Sequence, residues 1–173
     1  TVATDAVALQ QLLSSGALID SVIPNGFIVA RSYDEYSTYN SFGVAIPYDN
    51  TIPQNTEGTQ IFSRSFTPKS VTNRLRIRVT LRGSNNLAGY MIGALFVGGA
   101  SAVAVGAILV GTGDHFGTTS FEYEYVPASV AAQTITVRVG PNANTGYLNG
   151  ISSGRLFGGA SSCTMVIEEI KAS

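Results

Sequence analysis

Reactive side chains are scarce in this chain: its 173 residues include one cysteine, one histidine and no tryptophan. A single cysteine, Cys163, excludes an internal disulfide and a cysteine-built zinc site. It lies in an apolar strand pattern, where a thiol packs as a small hydrophobe. A single histidine, His115, leaves Asp114-His115 as the centre of any Ser-His-Asp triad. That pair sits in a glycine-flanked turn, and no Gly-x-Ser-x-Gly occurs. Charge is thin as well. Asp, Glu, Lys and Arg make up 12% of the chain, about half the share in an ordinary soluble domain. Ten basic residues against eleven acidic ones leave a net charge of −1, so no field exists to gather DNA or RNA. The longest apolar stretch, residues 100–110, falls well short of the ~20 residues of a membrane span. No basic segment with a cleavage site opens the chain, so no secretory signal is expected. Nucleic-acid binding and membrane insertion are therefore not expected.

What is present is apolar side chain, at 45%, and glycine, at 19 residues. A neutral-polar surface with so little charge points to area lost in an oligomer contact, because interface cores are depleted of charge. Thr4 or Asp5 caps a predicted short helix whose stripe is Val2, Ala6, Leu9 and Leu13. About three turns are marginal alone in water. The stripe needs either its own domain or two symmetry mates in a parallel bundle. The expected division is a helical stem and connector over 1–24 and a β-sandwich head over 25–173.

Beyond residue 25 the signal is strand. Segments 27–31, 42–46, 60–66, 74–82, 90–97, 102–110, 120–126, 134–139 and 162–170 are predicted strands, with a tyrosine-rich loop at 33–40. The clearest is 74–82, where Leu75, Ile77, Val79 and Leu81 alternate with Arg74, Arg76, Arg78 and Arg82. This many short strands between Gly, Asn and Pro turns predicts an all-β antiparallel sandwich or barrel. Arg76 and Arg78 share a period of two with Glu122 and Glu124, so these strands are expected to lie side by side as structural charge pairs. The alternative is an arginine stripe for an anionic glycan or phosphate.

Two runs, Ile46-Pro47-Tyr48-Asp49-Asn50-Thr51-Ile52-Pro53-Gln54-Asn55-Thr56-Glu57-Gly58-Thr59-Gln60 and Phe66-Thr67-Pro68-Lys69-Ser70-Val71-Thr72-Asn73-Arg74-Leu75-Arg76-Ile77, resemble segments of the C-terminal regions of phage tail fibres and tailspikes. Later pieces, Thr136-Val137-Arg138-Val139-Gly140-Pro141, Leu148-Asn149-Gly150 and Arg155-Leu156-Phe157-Gly158-Gly159, are similar to the same family. The resemblance implies a jelly-roll head of tumour-necrosis-factor-like shape, homotrimeric, mounted on the remainder of a tail fibre at the virion tip. It implies host attachment outside the cell and supplies no ligand residues.

Catalytic chemistry finds little to work with. Glu122 with Glu124 and Glu168 with Glu169 are the close acidic pairs that a glycoside hydrolase would need. The strand alternation favours a structural role for the first pair. Glycine pairs at 98–99 and 158–159 match no phosphate-binding loop, and Asp49-Asn50 or Asn142 with Asn144 offers too few carboxylates for calcium. No enzyme activity, cofactor or metal is expected.

Connections between antiparallel strands alternate between the two ends of a sandwich. One end should gather 48–58, 83–89, 111–118 and 140–161, and the other 67–73, 98–101 and 127–132. Long polar loops on a rigid frame carry binding residues. The expected ligand residues are Asn85, Asn86, Asp114, His115, Asn144, Tyr147, Asn149 and Arg155, facing a bacterial cell-surface glycan or surface protein. A trimerisation clamp without binding and a small capsular-polysaccharide hydrolase are the alternatives.

Overall fold

The computed structural model describes residues 23–172, and its longest strand is the one with the strictest alternation. The stripe Val2, Ala6, Leu9 and Leu13 lies outside the described residues. In chain order the strands are β1 (Ile28–Tyr36), β2 (Asn40–Phe42), β3 (Thr59–Phe66), β4 (Arg74–Asn85), β5 (Gly89–Val97) and β6 (Ala104–Val110). They continue with β7 (Gly117–Tyr125), β8 (Gln133–Pro141), β9 (Gly146–Leu148), β10 (Gly150–Ile151), β11 (Gly154–Arg155) and β12 (Cys163–Ile170).

One sheet runs β1-β12-β4-β7, and the facing sheet runs β3-β8-β5-β6. Every ladder is antiparallel. Apart from the β5–β6 hairpin, successive long strands cross between sheets in the double Greek-key order of a jelly roll. β4 outlasts β12, so β9 takes the vacated side at Gly83–Asn85 and β2 pairs in turn with β9.

Between the sheets lie Leu75, Ile77, Val79 and Leu81 of β4, Met91 and Leu95 of β5, Ile135, Val137 and Val139 of β8, and Cys163, Met165 and Ile167 of β12. Burying each large aliphatic contributes roughly 1.5–3 kcal/mol. Glu169 also points inward, at the end of β12. Its carboxylate accepts from Lys69 N at 2.9 Å, Ser70 N at 3.1 Å and Asn73 Nδ2 at 2.7 Å, fixing the 67–73 turn.

Two expectations need correction. The predicted tyrosine-rich loop is largely strand: β1 continues to Tyr36, with Arg31, Tyr33 and Glu35 on its outer face. Its period was masked because inward Asp34 is polar; it pairs with Arg64 of β3. The predicted strand 42–46 ends at Phe42. Residues 43–58 form a strap across the outer face of the second sheet, where Ile46 packs on Ile92, Ala94 and Phe96 in a satellite core. The strap reaches the other end of the sandwich, where Ala102 N donates to Pro53 O and Asn55 N to Ala100 O. Residues 53–55 thus lie away from the loop-bearing tip, while Tyr48 stays near it, stacked on Tyr90, whose amide donates to Asn142 Oδ1. Gly140 permits the close crossing: a Cβ there would strike the Val44 carbonyl and lie 3.1 Å from Ile46 N.

Candidate functional site at the loop-bearing end

The connections 37–39, 86–88, 111–116 and 142–162 meet at one end, and cross-loop hydrogen bonds hold them together. Asn86 N donates to Thr145 O, and Asp114 N to Asn85 O. Tyr39 Oη donates to Ile151 O at 2.9 Å, and its ring stacks on Tyr147 with centroids 6.2 Å apart. The chain enters β1 and leaves β12 at the opposite end, where Gly26 N donates to Lys171 O and Lys171 N to Phe27 O.

The expected ligand residues all lie in this loop cluster, but they divide by what their polar atoms already do. Asn85 and Asn149 are fully buried. Asn85 Nδ2 donates to Ala143 O at 3.0 Å; Asn149 Nδ2 donates to Tyr36 O at 2.8 Å and Thr38 O at 3.0 Å. Neither can touch a ligand, so both are corrected to loop ties. Left-handed backbone at Asp114 (φ 62°), Asn144 (φ 69°) and Asn149 (φ 59°) explains much of the Asn and Asp content, since these residues tolerate that region best after glycine. Asp114 accepts from Ser152 N at 2.8 Å and from the Ser152 hydroxyl. The hydroxyl first, then the amide, hold its carboxyl below the usual aspartate range. Asn86 Oδ1 accepts from Thr145 N at 3.1 Å, and Arg155 donates to Ser37 O at 2.6 Å. His115 and Asn144 are exposed.

Below this rim, on the outer face of the β4 sheet, an open cleft of about 240 Å³ is lined by Arg82, Phe116, Thr118, Phe157, Ala160 and Ser161. Register creates its floor, because Arg82 at the end of the β4 arginine row sits opposite Thr118 of β7. Phe116 precedes β7 directly, and the turn before β12 brings Phe157 edge-on to it, centroids 5.8 Å apart at 67°. Phe157 is 69% exposed and has φ 53°. Gly158 at φ 59° and Gly159 at φ 98° follow it. A bulky residue in this region is a backbone outlier of the kind that recurs at functional sites. Ser161 is 4% exposed, and its hydroxyl has no hydrogen-bond partner among the described residues.

The remaining arginines of the row face carboxylates. The register sets Arg76 opposite Glu124 and Arg78 opposite Glu122. Arg78 reaches its facing Glu122 at 4.0 Å, whereas Glu124 is taken one step askew by Arg74 at 2.9 Å. Arg76 turns instead to Glu168 of β12 at 3.6 Å, joined by Arg78 at 3.0 Å and Arg31 at 3.7 Å. Glu168 is 4% exposed beneath these three guanidinium groups. It faces away from its neighbour Glu169, so the two carboxylates cannot flank one bond. Arg82 is different: it donates to Ser162 O at 3.2 Å and makes no ion pair among the described residues.

Phe116, Phe157 and Ser161 were not among the expected ligand residues. The signal that could have found them is an aromatic beside glycines in a loop, Phe116-Gly117 and Phe157-Gly158-Gly159, where no alternation exists to bury the ring. Cys163, behind the cleft, is fully buried, and burial pushes its thiol up to about 11. No helix among the described residues is long and apolar enough to cross a membrane.

No family model matches the chain, and no curated protein matches it. Similar solved structures include the "EclA C-terminal domain; sugar-binding protein", at 12% identity over 84% of this chain and 79% of that one, TM-score 0.31. The VP2 subviral particle of infectious bursal disease virus is similar at 12% identity over 84% of this chain and 39% of that one, TM-score 0.38. The T13 particle of the same virus follows at 14% identity over 84% and 37%, TM-score 0.40. These likenesses carry no functional argument.

Proposed function

We propose that this chain is a non-enzymatic, homotrimeric adhesion head of a virion tail fibre or tailspike, binding a bacterial surface glycan through its loop-bearing end. The observation that carries the reading is the cleft at that end. It combines two aromatic rings with an arginine that has no acidic partner and a buried hydroxyl that has no hydrogen-bond partner among the described residues. Aromatic surface with a few placed polar groups is the usual make-up of a small-ligand site. The chain's entrance at the opposite end supports the loops as the distal tip. The tail-fibre location rests on the sequence pieces quoted above.

Self-association is supported by exposed apolar side chains on the edge strand β6, Val105 and Leu109, and by the low charge content. These same features favour the clamp as a second reading, in which the head trimerises without binding. Carboxylates committed to arginines or backbone amides support the absence of hydrolysis. The test pairs light scattering with binding to a panel of bacterial surface polysaccharides and an assay for newly formed reducing ends. The expected result is a trimer that binds saturably and releases no reducing ends. A trimer that binds nothing selects the clamp, and a monomer at micromolar concentration overturns the oligomeric claim.

A further inference from the structure

The glycan-binding reading leaves the sugar class open, and the cleft narrows it. We infer that the cleft takes one carboxylate-bearing sugar ring, a hexuronate residue of an acidic polysaccharide, with Arg82 on the carboxylate and Phe116 and Phe157 against the ring. This deepens the proposed function and rests on it.

Four features converge. A cavity of about 240 Å³ lies just under the ~300–1,000 Å³ of drug-sized pockets, which suits one ring of a polymer whose neighbours remain in solvent. Arg82 is the β4 arginine that no carboxylate among the described residues neutralises, and one backbone acceptor leaves most of its planar donor fork free. That fork matches a carboxylate bidentately, which a lysine cannot do. Phe116 and Phe157 offer apolar surface that the C–H face of a pyranose covers and that inorganic phosphate leaves bare. The Ser161 hydroxyl, buried and without a partner among the described residues, can both donate and accept, as a sugar hydroxyl requires. A neutral sugar would satisfy the rings and Ser161 but offer Arg82 only hydroxyl oxygens, whereas a carboxylate forms a charge-assisted bidentate pair, roughly twice as strong as a neutral hydrogen bond. The strained φ of Phe157 at 69% exposure adds weight, because no core packing accounts for holding a phenylalanine there.

The test uses the intact protein with uronate-containing oligosaccharides (oligogalacturonate and oligoguluronate), and the same oligosaccharides with their carboxyl groups reduced to alcohols. Ligand-detected NMR or calorimetry reads the binding. The expected outcome is binding of the acidic forms and a loss of about 10–100-fold on carboxyl reduction, the scale of a lost hydrogen bond to a charged group. Arg82→Ala abolishes binding, and Arg82→Lys weakens it at least tenfold. Both must keep the wild-type melting temperature within a few degrees, and Ser161→Ala serves as the milder variant if they do not.

If the protein binds bacterial polysaccharide but ignores carboxyl reduction and Arg82→Lys, the acidic-sugar inference is overturned while the adhesion reading stands. If inorganic phosphate displaces the sugar at equal concentration, the cleft reads charge alone and the inference fails. If no polysaccharide binds at all, both readings fail together.

Discussion

Phe157 can be replaced by glycine and, separately, by alanine. Both changes remove the ring, so its contacts cancel in the comparison and the backbone decides the order. At φ 53° an L-residue with a Cβ is disfavoured by about 1–2 kcal/mol, and glycine removes that strain. Glycine also gives the unfolded chain more freedom, which costs about 0.4–1 kcal/mol. The difference leaves Phe157→Gly more stable than Phe157→Ala by about 0.5–1 kcal/mol, or roughly 2–3 °C in melting temperature. This reverses the ordinary ranking of the two residues. Against wild type both variants lose the ring's modest burial. With 69% of the residue exposed, roughly a third of a phenylalanine's ~200 Å² is covered, worth about 1.5 kcal/mol. Differential scanning calorimetry at one fixed protein concentration reads the order. An alanine variant as stable as the glycine variant, or more so, refutes the strained backbone. If the cleft binds sugar as proposed, both variants should also lose glycan binding, since both remove the ring.

Glu168→Gln should destabilise the head by about 2 kcal/mol in urea titrations, because a buried carboxylate shared by Arg31, Arg76 and Arg78 loses its charge. The cost stays below that of a fully buried pair because those arginines retain water; Glu124→Gln, facing only half-exposed Arg74, should change stability by less than about 1 kcal/mol. Cys163 titrates near 9 when unfolded and about 11 when folded, so its stabilising effect is complete below pH 9 and lost as pH rises toward 11. Two pH units correspond to roughly 2–3 kcal/mol, about half of it gone by pH 10. Cys163→Ala should flatten the alkaline slope of the urea midpoint by that amount. Gly140→Ala should lift the strap at Val44 and Ile46, costing about 1–3 kcal/mol as an overpacked contact. Protease cleavage within 43–58 reports the displacement.

The jelly roll was readable in sequence wherever one face meets the core and the other meets water. β4 and β7 declared their strands, their faces and their mutual register through Arg76, Arg78, Glu122 and Glu124. Legibility failed where a side chain faces inward for a polar reason. Asp34 hid the second half of β1 by pairing with Arg64. Glu168 and Glu169 read as an acidic pair although neighbours in a strand face opposite ways; what the sequence hid is that Glu168 lies buried under Arg31, Arg76 and Arg78. Ile46 read as strand because a satellite core on the outside of a sheet leaves the same apolar mark as the main core. At the site, the end carrying the loops followed from strand alternation, but the individual residues did not. Asn85 and Asn149 look like ligand groups in sequence and are loop ties in space, since an asparagine that holds a loop and one that holds a sugar have the same composition. Phe157 was overlooked because its strain is a property of backbone angle.

The claim that the loop-bearing end is the binding end can be tested by masking each end in turn. Burial protects Cys163 from thiol reagents, so a cysteine introduced at His115→Cys takes a bulky maleimide at the tip, and one at Val130→Cys takes it at the opposite end. Both positions are exposed. Binding to acidic bacterial polysaccharide should fall at least tenfold with the label at residue 115 and remain unchanged with the label at residue 130. Undiminished binding with residue 115 labelled, or loss confined to residue 130, would contradict the account.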